Sequence, residues 1–445
     1  MPQSTVKPYH WANSALFYYF LVVLIWAPLP LGSNRDWSTA LLAALLLAGL
    51  VWGAALLALH HLSVTPTLRK AWPALASLVA VQIWVGLQLV FDLSVAPAST
   101  RLALLLGMAL VAAFILVLLL VDSRKRILTI CAVMIACGVF QAFFASAMVM
   151  GDVEEIAFLD KNFSRSSASG TFVNRNHLAG FLEMNLAIGI GMLVAQLYRH
   201  PASSWREFIR RSVKTVLSPK FRLRLYLVIM VIALVLTRSR MGNTAFFSSL
   251  LLCGVATMML QHRVTRSAVI FFISLLLIDI AIVGNWFGMD EVVQRLQNTS
   301  LTIEKRDEVA IDSIVMWRDH FWFGTGADSF FQSYVYGGYM SPDSLYYRHA
   351  HNDYLEIGSG FGFIGFSLLA TAVLTSLWQA LIAQRRRRSH LHQGLGFASA
   401  MGIISLLIHS FSDFNLHVPV NSLWFVVLLA FGWVARLENR AQEGD

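Results

Sequence analysis

The feature that most limits this sequence is a succession of apolar runs, each about 20 residues long and separated by short polar stretches. Inside a bilayer every backbone N–H and C=O must be satisfied by the protein itself, so a run of that length resolves into a membrane-crossing helix. Runs near 15–31, 38–59, 72–91, 102–121, 127–149, 178–197, 225–237, 242–260, 268–287, 355–383, 393–411 and 420–435 give about twelve spans. Only 13% of the residues are charged and 57% are hydrophobic, which leaves too little polar surface to clothe a water-soluble globule. The expected fold class is therefore an all-α polytopic membrane protein, one membrane domain over 1–445. The first run lacks a small-residue cleavage site and reads as a retained span. Cys131, Cys137 and Cys253 fall within apolar runs, where they serve as small core hydrophobes rather than as disulfides or thiolate ligands.

A net charge of +9 raises the question of nucleic acid, but the basic residues gather in short inter-helix loops, which sets topology instead. Clusters at Arg69 and Lys70, at Arg124 to Arg126, between Arg199 and Arg224, at Arg263 and Arg266, and at Arg385 to Arg388 all fall on one side if both termini are cytoplasmic. Three segments depart from tight turns. Residues 150–177 and the longer 288–354 fall on the outer side, and the aromatic content of the latter predicts a loop folded on the bundle, with short helices near 304–320 and 328–334. Residues 198–224 alternate apolar and basic positions, as an interfacial amphipathic helix on the cytoplasmic side would.

Charges tolerated at the membrane boundary are the best pointers to chemistry. Arg238 and Arg240 flank a tight turn between two spans on the outer side, where their planar donor forks suit phosphate oxygens presented from the bilayer. Arg175, Asn176 and His177 precede the sixth span, with Glu183 about two turns into it; Asn176 reads as the cap of a helix beginning at Leu178. His351 ends the large loop beside Arg348, His349, Asn352 and Asp353, and a neutral imidazole oriented by a nearby carboxylate such as Asp353 suits proton abstraction from a sugar hydroxyl. No metal site and no cofactor are expected, because no HExxH, cysteine pair or Asp-x-Asp occurs; nor is there a P-loop or G-x-S-x-G.

His351-Asn352, nine residues, then Gly362-Phe363-Ile364-Gly365 resembles the H-[NSQ]-x9-G-x-x-[GTY] pattern of the O-antigen ligase and polymerase superfamily of bacterial inner-membrane glycosyltransferases. The segments GTFVNRNHLAGFLE, LTRSRMG and FGTGADSFF are similar to its other recurring blocks. The resemblance implies a catalytic His351 that activates the acceptor hydroxyl. It also implies an essential arginine at Arg238 or Arg240 and a second at Arg318 or Arg306, holding the donor diphosphate. Arg175, Asn176, His177, Arg348, Asn352 and Asp353 stand as candidates for substrate binding. Donor, acceptor and reaction follow from the same resemblance: a glycan on undecaprenyl diphosphate, transferred with inversion and without metal to lipid A core or a growing glycan on the periplasmic face.

Within the superfamily the His-Asn-x9-Gly spacing leans towards O-antigen ligase and lipopolysaccharide biosynthesis. The paired Arg-x10-Gly spacing of many polymerases is absent, since Arg165 and Arg318 meet Asn176 and Ser329 there. Polymerases of O-antigen or exopolysaccharide remain the alternative, followed by protein O-oligosaccharyltransferases. A solute transporter of two six-span halves is a further class, disfavoured by the lack of an internal repeat.

Overall fold

The computed structural model describes residues 10–151, 155–156, 159–160, 167–196, 219–260, 274, 306–340 and 346–438. Fourteen helices run through them: α1 (His10–Trp26), α2 (Asp36–Ala58), α3 (Pro66–Lys70), α4 (Trp72–Val90), α5 (Pro97–Leu120), α6 (Arg124–Met150), α7 (Arg175–Val194), α8 (Pro219–Leu236), α9 (Arg240–Leu260), α10 (Arg306–Asp319), α11 (Phe330–Tyr336), α12 (Asp353–Arg386), α13 (His390–His409) and α14 (Pro419–Leu437). The described residues outside helices include one two-residue antiparallel ladder, Glu155–Ile156 with Leu159–Asp160. Nine helices among the described residues are long and apolar enough to cross a membrane: α2, α4, α5, α6, α7, α9, α12, α13 and α14. The apolar α1 is shorter. The span expected at 268–287 lies outside the described residues, as does the amphipathic segment up to residue 218; from Pro219 onward the chain is already in α8, longer than the span expected at 225–237.

The bundle is layered by burial. The apolar window of α7 is wholly buried and those of α14 and α13 nearly so, whereas α2, α4 and α12 bury only a third of theirs and turn apolar side chains outward. An outward apolar face is what lipid contact requires, so α7, α13 and α14 form the protein-filled centre and the others its rim. α7 and α13 pack most closely, and at Gly191 and Gly394 a Cβ on either helix would collide with the facing backbone carbonyl. The three cysteines are buried and free.

Helix direction alternates, so the chemistry gathers at one end. The end of α6 (Gln141) bonds the loop before α7 (Thr171), whose hydroxyl donates to Pro28 O after α1. The amide of Ala168 donates to Leu236 O at the end of α8, and the start of α12 bonds the end of α13 through Asp353 N and Ser410 O. The opposite end carries Arg69, Lys70, Arg124, Lys125, Arg126 and Arg385 to Arg388.

Two short helices, α10 and α11, appear where the large loop predicts them, and α10 packs on α12 with Trp317 against Gly358 and Phe366. The helix expected at 355–383 is not continuous. The 34 residues of α12, about 51 Å if straight, change direction at Gly362 (φ 67°, ψ 179°). The unwound turn pairs with the loop after α10: Thr325 N donates to Ser359 O (2.9 Å), Gly326 N to Gly360 O (3.0 Å) and Phe363 N to Phe321 O (2.7 Å). Gln88 of α4 clamps the crossing, donating to Phe323 O (2.7 Å) and Gly360 O (2.9 Å). A Cβ on Gly324 or Gly362 would overlap the facing backbone. Gly362 therefore opens the helix so that the loop can dock, while Gly365 lets α12 approach Trp84 of α4 closely.

Candidate active site

The first site element is the strand of loop entering α12. Asn352 caps that helix, its Oδ1 accepting from Tyr354 N (3.0 Å) and Leu355 N (3.1 Å), while its Nδ2 donates to Phe411 O (3.0 Å). Glu356, in the first turn, reaches back: Oε2 accepts from Ala350 N (2.9 Å) and Oε1 lies 2.7 Å from His349 Nδ1. Held on both sides, the intervening His351 adopts a left-handed backbone (φ 50°), a conformation that costs a non-glycine residue about 1–2 kcal/mol and persists where surroundings impose it. Its ring lies between Tyr347 (5.9 Å, near perpendicular) and Phe414 (5.1 Å).

The second element is the connection between α13 and α14, residues 410–418. Phe414 is its hub: the His349 ring stacks on it at 4.0 Å, and His177 meets it edge-on at 4.7 Å. Asp353 accepts from Ser410 Oγ (2.8 Å) and Leu416 N (3.2 Å) and lies 3.1 Å from His417 Nδ1. The other ring nitrogen of His417 is 3.3 Å from Glu356 Oε1. Burial works against charge on the His417 ring, but Glu356 and then Asp353 outweigh it and hold the imidazolium up to about 10. Burial likewise disfavours a charged Asp413, yet His177, His409 and the Phe414 amide more than compensate and keep its carboxyl below the usual range.

Deeper still, His409 Nδ1 of α13 lies 2.8 Å from Glu183 Oε1 of α7, both fully buried, and Ser405 Oγ donates to Glu183 Oε2 (2.7 Å). His177 Nε2 is 3.7 Å from Asp413 Oδ1, and its carbonyl accepts from Asn421 Nδ2 (3.0 Å). The cap of α7 is Asn174, whose Oδ1 accepts from Asn176 N (2.9 Å); the helix starts at Arg175, three residues earlier than expected, and Asn176 sits in its first turn.

The third element is the turn between α8 and α9. Thr237 Oγ1 accepts from Ser239 N (3.1 Å) and Ser239 Oγ from Gly242 N (3.2 Å), so Arg238 is left-handed (φ 54°) between two capping hydroxyls. Arg238 and Arg240 are both exposed there, on a turn pinned to α7 where Gly242 faces Ala179 and Glu183. Arg318, at the end of α10, is 73% exposed and paired with Asp319 (3.1 Å), and Arg348 is exposed. Arg306 begins α10.

The fold thus joins His177, His351, Asn352 and Asp353 around one loop and sets Arg175, Arg238 and Arg240 at the same end. It changes three assignments. Asp353, expected beside His351 as its orienting carboxylate, is taken up by His417, Ser410 and Leu416. Asn352 is engaged as a helix cap, and Asn176 is not one. The ring–carboxylate pairs formed here involve His349, His409, His417 and His177. His409, Asp413, Phe414 and His417 escaped the sequence reading, although the polar run HSFSDFNLH between the last two spans was visible.

Residues 225–370 match the family described as O-antigen ligase. The matched region holds α9 to α11, most of α8 and the bent first half of α12, and with them Arg238, Arg240, Arg306, Arg318, Arg348 and His351. No curated protein matches the chain. The match, carried on a multi-span helical bundle, supports the resemblance of this part of the chain to the O-antigen ligase and polymerase superfamily.

Proposed function

We propose that this protein transfers a glycan from undecaprenyl diphosphate to an acceptor hydroxyl on the periplasmic face of the bacterial inner membrane, and that within its superfamily it is an O-antigen ligase acting on lipid A core. The observation that carries the reading is His351, fixed in a left-handed backbone between the Glu356-bound Ala350 and the capping Asn352, at the end of the bundle where Arg238 is also held left-handed. Strained polar residues of this kind are held where a site must be preorganised.

In this mechanism the His351 imidazole takes the proton of the acceptor hydroxyl as its oxygen attacks the anomeric carbon from the face opposite the diphosphate. The glycosidic C–O bond breaks with its electron pair moving to the diphosphate, and configuration inverts. Arg238 or Arg240 at the α8–α9 turn, with Arg318 or Arg306 of α10, stabilises the charge growing on the leaving diphosphate, so no metal is required at that position. Arg175 and Arg348 line the approach of the glycan, and the buried His177 supports the loop from within through Phe414 and Asp413. The basic end of the bundle, carrying Arg124 to Arg126 and Arg385 to Arg388, faces the cytoplasm, with both termini, and the site faces the periplasm.

Deletion in the native host, followed by gel separation of its polysaccharides, tests the assignment. Lipid-linked polymer should accumulate while lipid-A-linked polymer disappears. Single unpolymerised repeats on lipid A core would instead identify a polymerase.

A further inference from the structure

The pairing of Glu356 with two histidines has a use that the transfer reaction does not call on. We propose that His349, Glu356 and His417 form a binding site for one divalent transition-metal ion of the Zn2+ type. Three observations carry it. One ligand atom from each of His349, Glu356 and His417 lies within 4.8 Å of the other two. His417 Nε2 is 3.3 Å from Glu356 Oε1, close to the separation of about 3.4 Å that two ligands take on a tetrahedral ion with bonds of about 2.0–2.1 Å. His349 Nδ1, at 2.7 Å from the same oxygen, must withdraw by about 0.7 Å to reach that geometry. Its ring is 29% exposed, stacked on Phe414 and tilted against His417 (5.5 Å), so its exposed edge leaves room for that shift.

The ligands are also braced as metal ligands usually are. His417 offers Nε2 to the ion because its Nδ1 is turned to Asp353 (3.1 Å), which Ser410 fixes in turn (2.8 Å). Glu356 offers Oε1 because its Oε2 is held by the Ala350 amide (2.9 Å). Finally, the charge suits a cation: Asp353 and Glu356 converge on His417, and Asp328 acts on it electrostatically as well. Two imidazoles and one carboxylate favour Zn2+ or Co2+ over the all-oxygen preferences of Mg2+ or Ca2+, and the exposed edge of His349 leaves a side open for a solvent ligand. The ion would replace the protons now bridging the rings to Glu356, and would tie the loop before α12 to the connection between α13 and α14.

The test uses the purified full chain in detergent, stripped with chelator and titrated with Co2+ while its visible absorption is followed, with Zn2+ stoichiometry measured by equilibrium dialysis. One ion per chain is expected, with affinity falling about tenfold or more in His349→Ala and in His417→Gln and unchanged in His60→Ala, an exposed histidine at the far end of α2. His417 is nearly enclosed, so if its variant misfolds the rim variant His349→Ala decides alone. Failure of the wild-type chain to retain an ion, or wild-type affinity in His349→Ala, would overturn the assignment. Because the readout is metal binding and not glycan transfer, either result is independent of the function proposed above.

Discussion

Replacing Gly362 with alanine removes no contact and adds one carbon, yet it strikes the point where α12 opens. The backbone there (φ 67°, ψ 179°) lies in a region that residues with a Cβ enter only at a cost on the order of 1–3 kcal/mol. The added Cβ also points at backbone atoms, Trp322 O, Gly324 N and the carbonyl carbon of Phe323, none of which can swing aside as a side chain would. Relieving that overlap displaces the 321–326 loop and loses bonds such as Phe363 N to Phe321 O and Gly326 N to Gly360 O, each worth about 1 kcal/mol. Together the effects amount to about 3–5 kcal/mol. Thermal unfolding of the purified protein measures the loss, and hydrogen exchange at Gly326 and Phe363 locates it. Gly86→Ala in α4 is the control, since no atom lies within 4 Å of its would-be Cβ. If Gly362→Ala unfolds with Gly86→Ala and leaves those amides protected, the docking of the loop into an opened helix is wrong.

Glu183→Gln leaves His409 without its buried partner and should cost about 3–5 kcal/mol, seen as lost yield of monodisperse protein; Glu183→Gln with His409→Gln should cost less than the sum of the two single changes. Asp413 is held below the ordinary carboxylate range, so its contribution to stability is complete above about pH 4 and is lost as pH falls through its folded value. Unfolding temperature should therefore drop on acidification in the wild type and change less in Asp413→Asn.

How much of this the sequence discloses depends on the range of the interaction. The nine membrane-length helices among the described residues follow from apolar length alone, and α10 and α11 from spacing within the large loop. The left-handed turn at Arg238 is foreshadowed by LTRSRMG, because the capping serine and threonine lie beside it. Gly362, by contrast, looks like any small residue in an apolar run; its break exists only because a loop 36 or more residues earlier supplies partners for the opened turn. The pairs His409 with Glu183 and His417 with Asp353 and Glu356 join segments up to 226 positions apart, and no local pattern encodes which carboxylate a histidine will meet. Asn174 and Asn176 offer the same capping chemistry two residues apart, so their assignment waited on the backbone. The metal-type cluster stayed hidden for a similar reason, since His417 sits beyond the helix that carries Glu356.

Proton abstraction from the acceptor by His351 is the step on which the proposed reaction turns. Its most direct measurement is the rate of transfer from undecaprenyl-diphosphate-linked glycan to acceptor, both extracted from the host, by the purified full chain in liposomes, comparing wild type with a His351→Ala variant shown to be folded by its unfolding temperature. A fall of about 10²–10⁴-fold with donor binding retained is expected. Transfer by the folded His351→Ala protein at the wild-type rate would contradict it.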